Sequence, residues 1–446
     1  MDNTTPEVTK VGRMRWAVCA LLFFATTVNY MDRQVISILK PVLETELHWA
    51  NPQAVEQEYS YIVMAFTLAY AFGVLLFGWF IDKIGTKMGY AISIVVWGLA
   101  SVSHAFARSS FGFGIARVGL GLGESGNFPA AIKTVAEWFP KRERALATGL
   151  FNSGANVGAL LAPVVIPWAI YTFAADPKHP LWQIGFVLTG ALDLIWLVFW
   201  LIIYQKPASK KNLSRAEFDY IHSDVEEQTA SQEKVPWGKL LTYRQTWAFF
   251  CGKFLTDCVW WFYLFWLPSY LKDKYHVDIK DLANFAMPLI IIYSFTTVGS
   301  IGGGWLSSRF IQIGWPVNRA RKTAMFAFAL AVLPITAVKY VSLWPAVVLI
   351  GLAAAAHQAW SANIFTTASD MFPKKAVASV TGIGAMAGAV GGLLFQYLTG
   401  MMLASYKASG DIQTGYSILF VICASAYLTA LLLFHLLAPK MTPAKI

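Results

Sequence analysis

Charge is scarce in this sequence. Asp, Glu, Lys and Arg together make up 13% of its 446 residues, where a soluble domain carries roughly a quarter. Too few charged side chains remain to cover the two or three soluble domains that a chain of this length would form. Hydrophobic residues reach 57% and aromatic residues 15%, so lipid is the solvent the composition fits. Cysteine is scarce as well. Cys19, Cys251, Cys258 and Cys423 lie inside apolar stretches, which excludes a disulfide or metal framework and leaves them as small core residues. No metal-ligand cluster, activated-nucleophile pattern or phosphate-cradling loop occurs in the sequence, so neither an enzyme nor a cofactor or metal is expected. The formal net charge is +10, yet the Lys and Arg residues form short clusters between apolar runs and not one basic soluble face. That dispersal argues against a nucleic-acid partner.

What the sequence has in abundance is apolar runs long enough to cross a bilayer, for which about 20 helical residues are needed. Twelve are expected, at 16–39, 59–81, 88–107, 111–137, 145–171, 182–204, 247–271, 284–308, 322–340, 344–369, 376–404 and 413–437. The first begins at Trp16 and shows no small-residue cleavage pattern before Asn29, Tyr30, Asp32 and Arg33, so it is read as a retained helix. Basic residues set the orientation, because cytoplasmic loops are enriched in Lys and Arg. One side carries Lys83 and Lys87, then Lys141, Arg142 and Arg144, then Lys206, Lys210, Lys211 and Arg215, and later Arg309, Arg319, Arg321 and Lys322. The opposite loops carry isolated bases such as Arg108, Lys178 and Lys339. Both termini are therefore expected in the cytoplasm.

The polar segment 205–246 divides the chain into two groups of six helices, 1–204 and 247–446. Ser214 followed by Glu217 fits a capping box at the start of a short surface helix there. A second amphipathic piece is expected around Pro236 and Trp237, and the whole segment reads as a linker on the membrane surface.

The run from Gly78 to Lys87, between the second and third spans, resembles the loop signature of the major facilitator superfamily. Gly78 is expected to allow close helix approach, Asp82 to cap or pair, and Lys83 and Lys87 to hold the loop at the cytoplasmic side. A degenerate copy, Gly304 to Arg309, occupies the matching place in the second half, with Ser308 where the first half has Asp82. The run from Arg117 to Glu124 resembles the superfamily's fourth span. Within the superfamily the chain is most similar to the anion:cation symporter family, and there to bacterial hexuronate transporters, on the runs Asn29 to Arg33, Glu58 to Ile62, Gly85 to Ala91, Glu137 to Pro140 with Glu143 and Arg144, and Ala356 to Ala359 with Ser369 and Asp370.

The resemblance implies an all-α membrane protein: twelve transmembrane helices in two pseudo-symmetric six-helix bundles, resident in the cell membrane, a monomer with protons and a small anionic sugar acid as partners. It implies import of a hexuronate such as glucuronate or galacturonate with protons by alternating access, and no cofactor besides the coupling proton. It also places Gly78, Asp82, Lys83, Gly85, Lys87 and Arg144 in a gating motif.

Ionisable side chains at membrane depth cost about 2.5–3.5 kcal/mol each on insertion scales, so they persist where paired or lining a wet cavity. Arg117 and Glu124 stand two helical turns apart on one face, with Gly119, Gly121 and Gly123 between them. The planar guanidinium of Arg117 matches a carboxylate, making it the first choice for the cargo's acid group, or else the structural partner of Glu124 or Asp32. By resemblance Arg117 serves substrate and Glu124 proton coupling. Asp32 and Arg33 are adjacent and point about 100° apart; the resemblance assigns a proton-linked carboxylate and a substrate-facing base to these positions.

Lys253 and Asp257 are spaced for an intrahelical pair, and the resemblance also allows Lys253 to face the cavity. Trp260, Tyr263 and Trp266 share much of one helical face, suited to a sugar ring or to ordinary packing. Tyr70, Asn152, Asn156, His357, Gln358, Ser361 and Asn363 offer hydroxyl, amide and imidazole groups that suit sugar hydroxyls, and Asn156 matches an amide position used for substrate. Met386 replaces a polar or aromatic residue of relatives. Lys133 and Asp193 read as helix-end or helix-interior pairs.

With Glu124 held ionised by Arg117, an arriving carboxylate is expected to draw the base away and leave Glu124 readier for a proton. A symporter for another sugar acid, such as an aldonate, and a transporter-like membrane receptor are the alternatives.

Overall fold

In hydrocarbon, every backbone N–H and C=O must find its partner inside the chain, and continuous helices satisfy that requirement segment by segment. The computed structural model describes residues 12–47, 55–176, 178–223, 236–372 and 374–444, and helices account for the fold of these residues. The first half comprises α1 (Met14–Leu47), α2 (Val55–Ile84), α3 (Thr86–Ser103), α4 (Ser110–Glu124), α5 (Asn127–Trp138), α6 (Lys141–Thr172) and α7 (Gln183–Ile203). Two short helices, α8 (Arg215–Ile221) and α9 (Trp237–Leu240), lie in the connecting segment. The second half comprises α10 (Arg244–Tyr275), α11 (Leu282–Gln312), α12 (Val317–Val332), α13 (Leu343–Met371), α14 (Lys374–Ala408) and α15 (Ile412–Leu437). A 3-10 stretch, Leu333–Tyr340, completes the crossing begun by α12.

Twelve crossings in two six-helix bundles result. Among the described residues, ten helices are long and apolar enough to span a membrane by composition. The other two crossings are α4 with α5, and α10. The first is divided into two short helices, of 15 and 12 residues, and the second carries Lys253 and Asp257 in its interior. Large apolar side chains such as Phe72, Phe111, Ile202, Ile301 and Trp305 are exposed on the outer surface, as a lipid-facing belt requires.

The expected fourth span is two helices. Ser125 N–H bonds to Gly121 O and Gly126 N–H to Gly123 O, and α5 restarts at Asn127. The Ser93 hydroxyl of α3 donates to Gly123 O at 2.6 Å, taking one carbonyl at the end of α4. Gly121 and Gly123 let α4 close on α2 and α3: a Cβ at Gly121 would strike Phe66 O at 2.5 Å, and one at Gly123 would strike the Trp97 backbone.

The signature loop differs in detail from its expected role. Gly78 has nothing within 4 Å of where its Cβ would stand, so it does not serve close approach. That function belongs to Gly89, packed on Ile81. Gly85 holds φ +90° at the junction of α2 and α3, a conformation that glycine adopts without strain. Lys83 is exposed beside the Trp79 ring, and Lys87 O accepts the Trp200 indole N–H at 3.0 Å. The side chains of Asp82 and Arg144 lie outside the described residues. Lys210, in the connecting segment, donates to Ile203 O at 2.6 Å; its pKa is held below the ordinary lysine value by partial burial and by the charge of Lys87.

The connecting segment is tied to the first half. Ser214 Oγ accepts from Glu217 N–H, the first half of the capping box. The Glu217 carboxylate does not return to α8; it accepts from the backbone N–H groups of Met14 and Arg15 at 3.2 and 3.0 Å and pairs with the Arg15 guanidinium. It thus caps α1, placing negative charge at a helix N-terminus. Arg15 extends the contact to Glu143 of α6 at 2.9 Å.

Candidate functional site

Between the halves lies a cavity of about 450 Å³. From the first half it is lined by Tyr30 and Arg33 of α1, Phe128 and Ile132 of α5, and Thr148, Phe151, Asn152 and Asn156 of α6. From the second half it is lined by Lys253, Asp257, Trp260 and Trp261 of α10, Ser300 of α11, and His357, Gln358, Ser361 and Phe365 of α13. Polar atoms thus converge from both halves on an otherwise apolar space, as in small-molecule sites.

From the first half, the base that faces this cavity is Arg33. Its Nε stands 2.5 Å from Glu124 Oε2, and both side chains are buried. Glu124 sits at the C-terminal end of α4, where the helix dipole disfavours an anion, so the guanidinium supplies the compensation that the helix does not. Around Arg33 stand the rings of Tyr70, Tyr30, Phe66 and Trp261, with centroids 4.6, 4.8, 5.5 and 5.9 Å from its guanidinium carbon. Tyr70 is therefore a neighbour of Arg33 and does not itself line the cavity. Arg33 Nη2 and Glu124 Oε1 are buried without a protein partner.

Arg117, expected to pair with Glu124 and meet the cargo, stands one layer behind. It is fully buried, absent from the cavity wall, and reaches Arg33 O through Nη2 at 3.4 Å. Its Nε and Nη1 are unpartnered. Arg33 explains the exchange: from α1 it reaches across to the end of α4 and takes the Glu124 carboxylate. Asp32, pointing the other way, accepts from Ser101 Oγ at 2.6 Å inside the first bundle.

In the second half Lys253 Nζ lies 2.7 Å from Asp257 Oδ2 and 4.0 Å from the Phe365 ring centroid. Both expectations for Lys253, cavity wall and intrahelical pair, describe it together. Trp260 lines the cavity with His357 stacked on one face, centroids 5.3 Å apart and planes at 7°. The His357 Nδ1 hydrogen-bonds with Tyr427 Oη at 2.7 Å. Tyr263 and Trp266 are buried away from the cavity, and Trp266 donates to Gln396. Asn363 is spent on Gly303 O and Ala359 O, Lys133 donates to Ile81 O, and Met386 is exposed outside the cavity. Tyr30, Trp261, Phe151 and Ser300 are wall residues that periodicity alone did not single out.

The cavity lies toward the cytoplasmic ends of α5, α6, α10 and α13, and its extracellular side is shut by a charge cluster that joins the halves. Lys40 Nζ stands 2.5 Å from Glu56 Oε2 and 3.5 Å from Glu44 Oε1. Lys407 of α14 reaches Glu56 at 2.9 Å, and Lys272 of α10 reaches Glu44 at 3.3 Å. Tyr59 Oη donates to Phe265 O at 2.8 Å just beneath. That side of the molecule is thus closed. Sequence reasoning missed this cluster; Lys40, a base at the end of the first apolar run, is the signal that could have found it.

Residues 22–396 match the Major Facilitator Superfamily. The chain belongs to that family. It is 33% identical to the hexuronate transporter of Escherichia coli (strain K12) over 88% of each chain. It is also 33% identical to the galacturonate transporter of Dickeya chrysanthemi, over 68% of this chain and 84% of that one. The D-galactonate transporter of Escherichia coli O6:H1 is 27% identical over 89% of this chain and 91% of the relative. Among solved structures, a D-xylose-proton symporter superposes with a TM-score of 0.71 at 15% identity, covering 96% of this chain and 98% of its own. That likeness carries the fold alone. Family, apolar helices and relatives together make this a multi-pass transporter of the cell membrane.

Proposed function

We propose that the chain imports a hexuronate, glucuronate or galacturonate, together with protons by alternating access of the two halves. The carrying observation is the buried pair of the wall residue Arg33 with Glu124, a base able to exchange one carboxylate for another. The cargo's carboxylate takes Arg33; Glu124 is left buried with less compensation and takes a proton, which links the two ligands. Arg117, with N–H groups to spare, then serves as the reserve cation behind Arg33 and Glu124. Asn152, Asn156, Gln358 and Ser361 supply donors and acceptors for sugar hydroxyls. The free face of Trp260 and the ring of Trp261 supply apolar planes for the sugar.

Proton loading neutralises the cavity, and the halves rock about it while the Lys40, Glu56 and Lys407 cluster opens and closes the extracellular side. A monomer suffices for this cycle. The relatives' hexuronate and galacturonate cargo supports the uronate reading, and the D-galactonate relative supports an aldonate as the second one. Uptake by proteoliposomes of labelled glucuronate, competed with galacturonate, aldonates and neutral hexoses, tests the reading. Competition by uronates is expected. Competition by aldonates alone would replace the substrate class, and competition by neutral hexoses would sink the carboxylate's role.

A further inference from the structure

Behind the cavity wall the first bundle buries a third carboxylate that the transport cycle above does not use. Asp193 of α7 is 1% exposed, as is Asp32 of α1, and their side chains lie within hydrogen-bonding reach of each other. Asp32 Oδ2 and Asp193 Oδ2 are both buried without a protein donor. Two ionised carboxylates within that reach cannot satisfy one another, because both only accept; a single proton between them turns one into a donor and satisfies both.

The setting fits that proton. From α3, Ser101 Oγ donates to Asp32 Oδ1 at 2.6 Å and lies 3.1 Å from Thr189 Oγ1 of α7, while the neutral side chain of Trp97 stands beside Asp193. From α4, Arg117 and Glu124 act on the pair through space, and the Arg117 guanidinium has two N–H-bearing nitrogens without partners. Arg33 faces the opposite way, toward Glu124. Two guanidinium cations therefore share this interior with three carboxyls. One proton on the Asp32–Asp193 pair makes the set neutral. Without it the set carries one uncompensated negative charge in a low-dielectric interior, which is costly.

We infer that Asp193 is a positioning residue for transport: it shares one proton with Asp32 in the empty protein, so that the buried set is neutral and an anionic cargo meets no excess negative charge. The inference rests on the proposed uptake of an anionic sugar acid. The shared proton comes from water and stays between the two carboxyl oxygens; it is additional to the proton that Glu124 takes when cargo binds.

Glucuronate affinity of the purified full chain, followed by tryptophan fluorescence because Trp260 and Trp261 line the cavity, is measured from neutral to alkaline pH. Wild type, Asp193→Asn, Asp32→Asn and Asp193→Glu are compared, with thermal unfolding as the check on folding. Loss of the shared proton adds one negative charge and weakens anion binding, so the wild-type Kd rises with pH. Asp193→Asn is neutral without a proton and is expected to lose about tenfold per pH unit of that rise. Asp32→Asn removes the same shared proton and loses at least as much, and Asp193→Glu keeps the wild-type slope. An Asn variant of either residue with the wild-type slope overturns the inference, so it stands testable if one of the two fails to fold. Uptake driven by a pH gradient is measured on the same preparations. Wild type that binds glucuronate without proton-driven accumulation sinks the symport reading, whereas the equilibrium slopes still decide the shared proton; absence of glucuronate binding sinks the substrate reading and is seen in wild type first.

Discussion

Arg33, and not Arg117, holds Glu124: Nε and Oε2 are 2.5 Å apart at the cavity wall, with Arg117 a layer behind. The two arginines are therefore expected to differ on substitution. Arg33→Lys keeps the charge and loses the planar fork, and should weaken glucuronate binding by about 1.5–3 kcal/mol, or roughly tenfold to 150-fold. Arg117→Lys should spare most of the affinity. Tryptophan quenching titrations of the two variants decide the matter, and equal losses would remove Arg33's special place.

Glu124→Gln removes the carboxylate that exchanges partners with the cargo while keeping its shape. Proton-driven accumulation should vanish, whereas exchange of internal for external glucuronate persists. Loss of both activities would assign Glu124 to binding and not to coupling.

The sequence showed where the ionisable groups cluster but not how they pair. Apolar run length was enough for twelve crossings, because it is a property of the chain itself. The break at Ser125 and Gly126 was not legible: it depends on Ser93 of α3 taking a carbonyl of α4. Helical geometry separates Asp32 from Arg33 by about 100° but does not say which one faces the cavity, which packing of α1 against α4 decides. The spacing of Arg117 and Glu124 is right for one helical face, yet Arg33, distant in sequence, makes the shorter contact. Asp193, expected with Lys133 in a helix-end or helix-interior pair, instead neighbours Asp32, a carboxylate that another helix supplies.

The extracellular charge cluster should set the balance between inward- and outward-facing forms. Glu56 is buried and bridges Lys40 of its own half to Lys407 of the other. Glu56→Gln should favour the outward-facing form by about 2–5 kcal/mol, the range seen when one partner of a buried charge pair is removed. Distances between spin labels at the extracellular ends of α2 and α14 should lengthen in the variant. Unchanged distances would reduce the cluster to a passive contact.

Glu217 caps α1 and binds Arg15, so it matters for stability and not for cargo. Glu217→Ala should lower stability by about 2–4 kcal/mol, combining a lost cap with a broken buried ion pair. Thermal unfolding in detergent should shift downward with the glucuronate Kd unchanged. A changed Kd with an unchanged transition would mean that the connecting segment acts on the cavity.

The central claim is that one buried base–carboxylate pair couples a sugar acid to protons. It is tested most directly in proteoliposomes with an inward proton gradient and no gradient of any other ion, recording labelled glucuronate and internal pH together. Glucuronate accumulation above equilibrium is expected, with proton entry that depends on glucuronate and disappears in Glu124→Gln. Equilibration of glucuronate without accumulation, and no glucuronate-dependent proton entry in wild type, would contradict it.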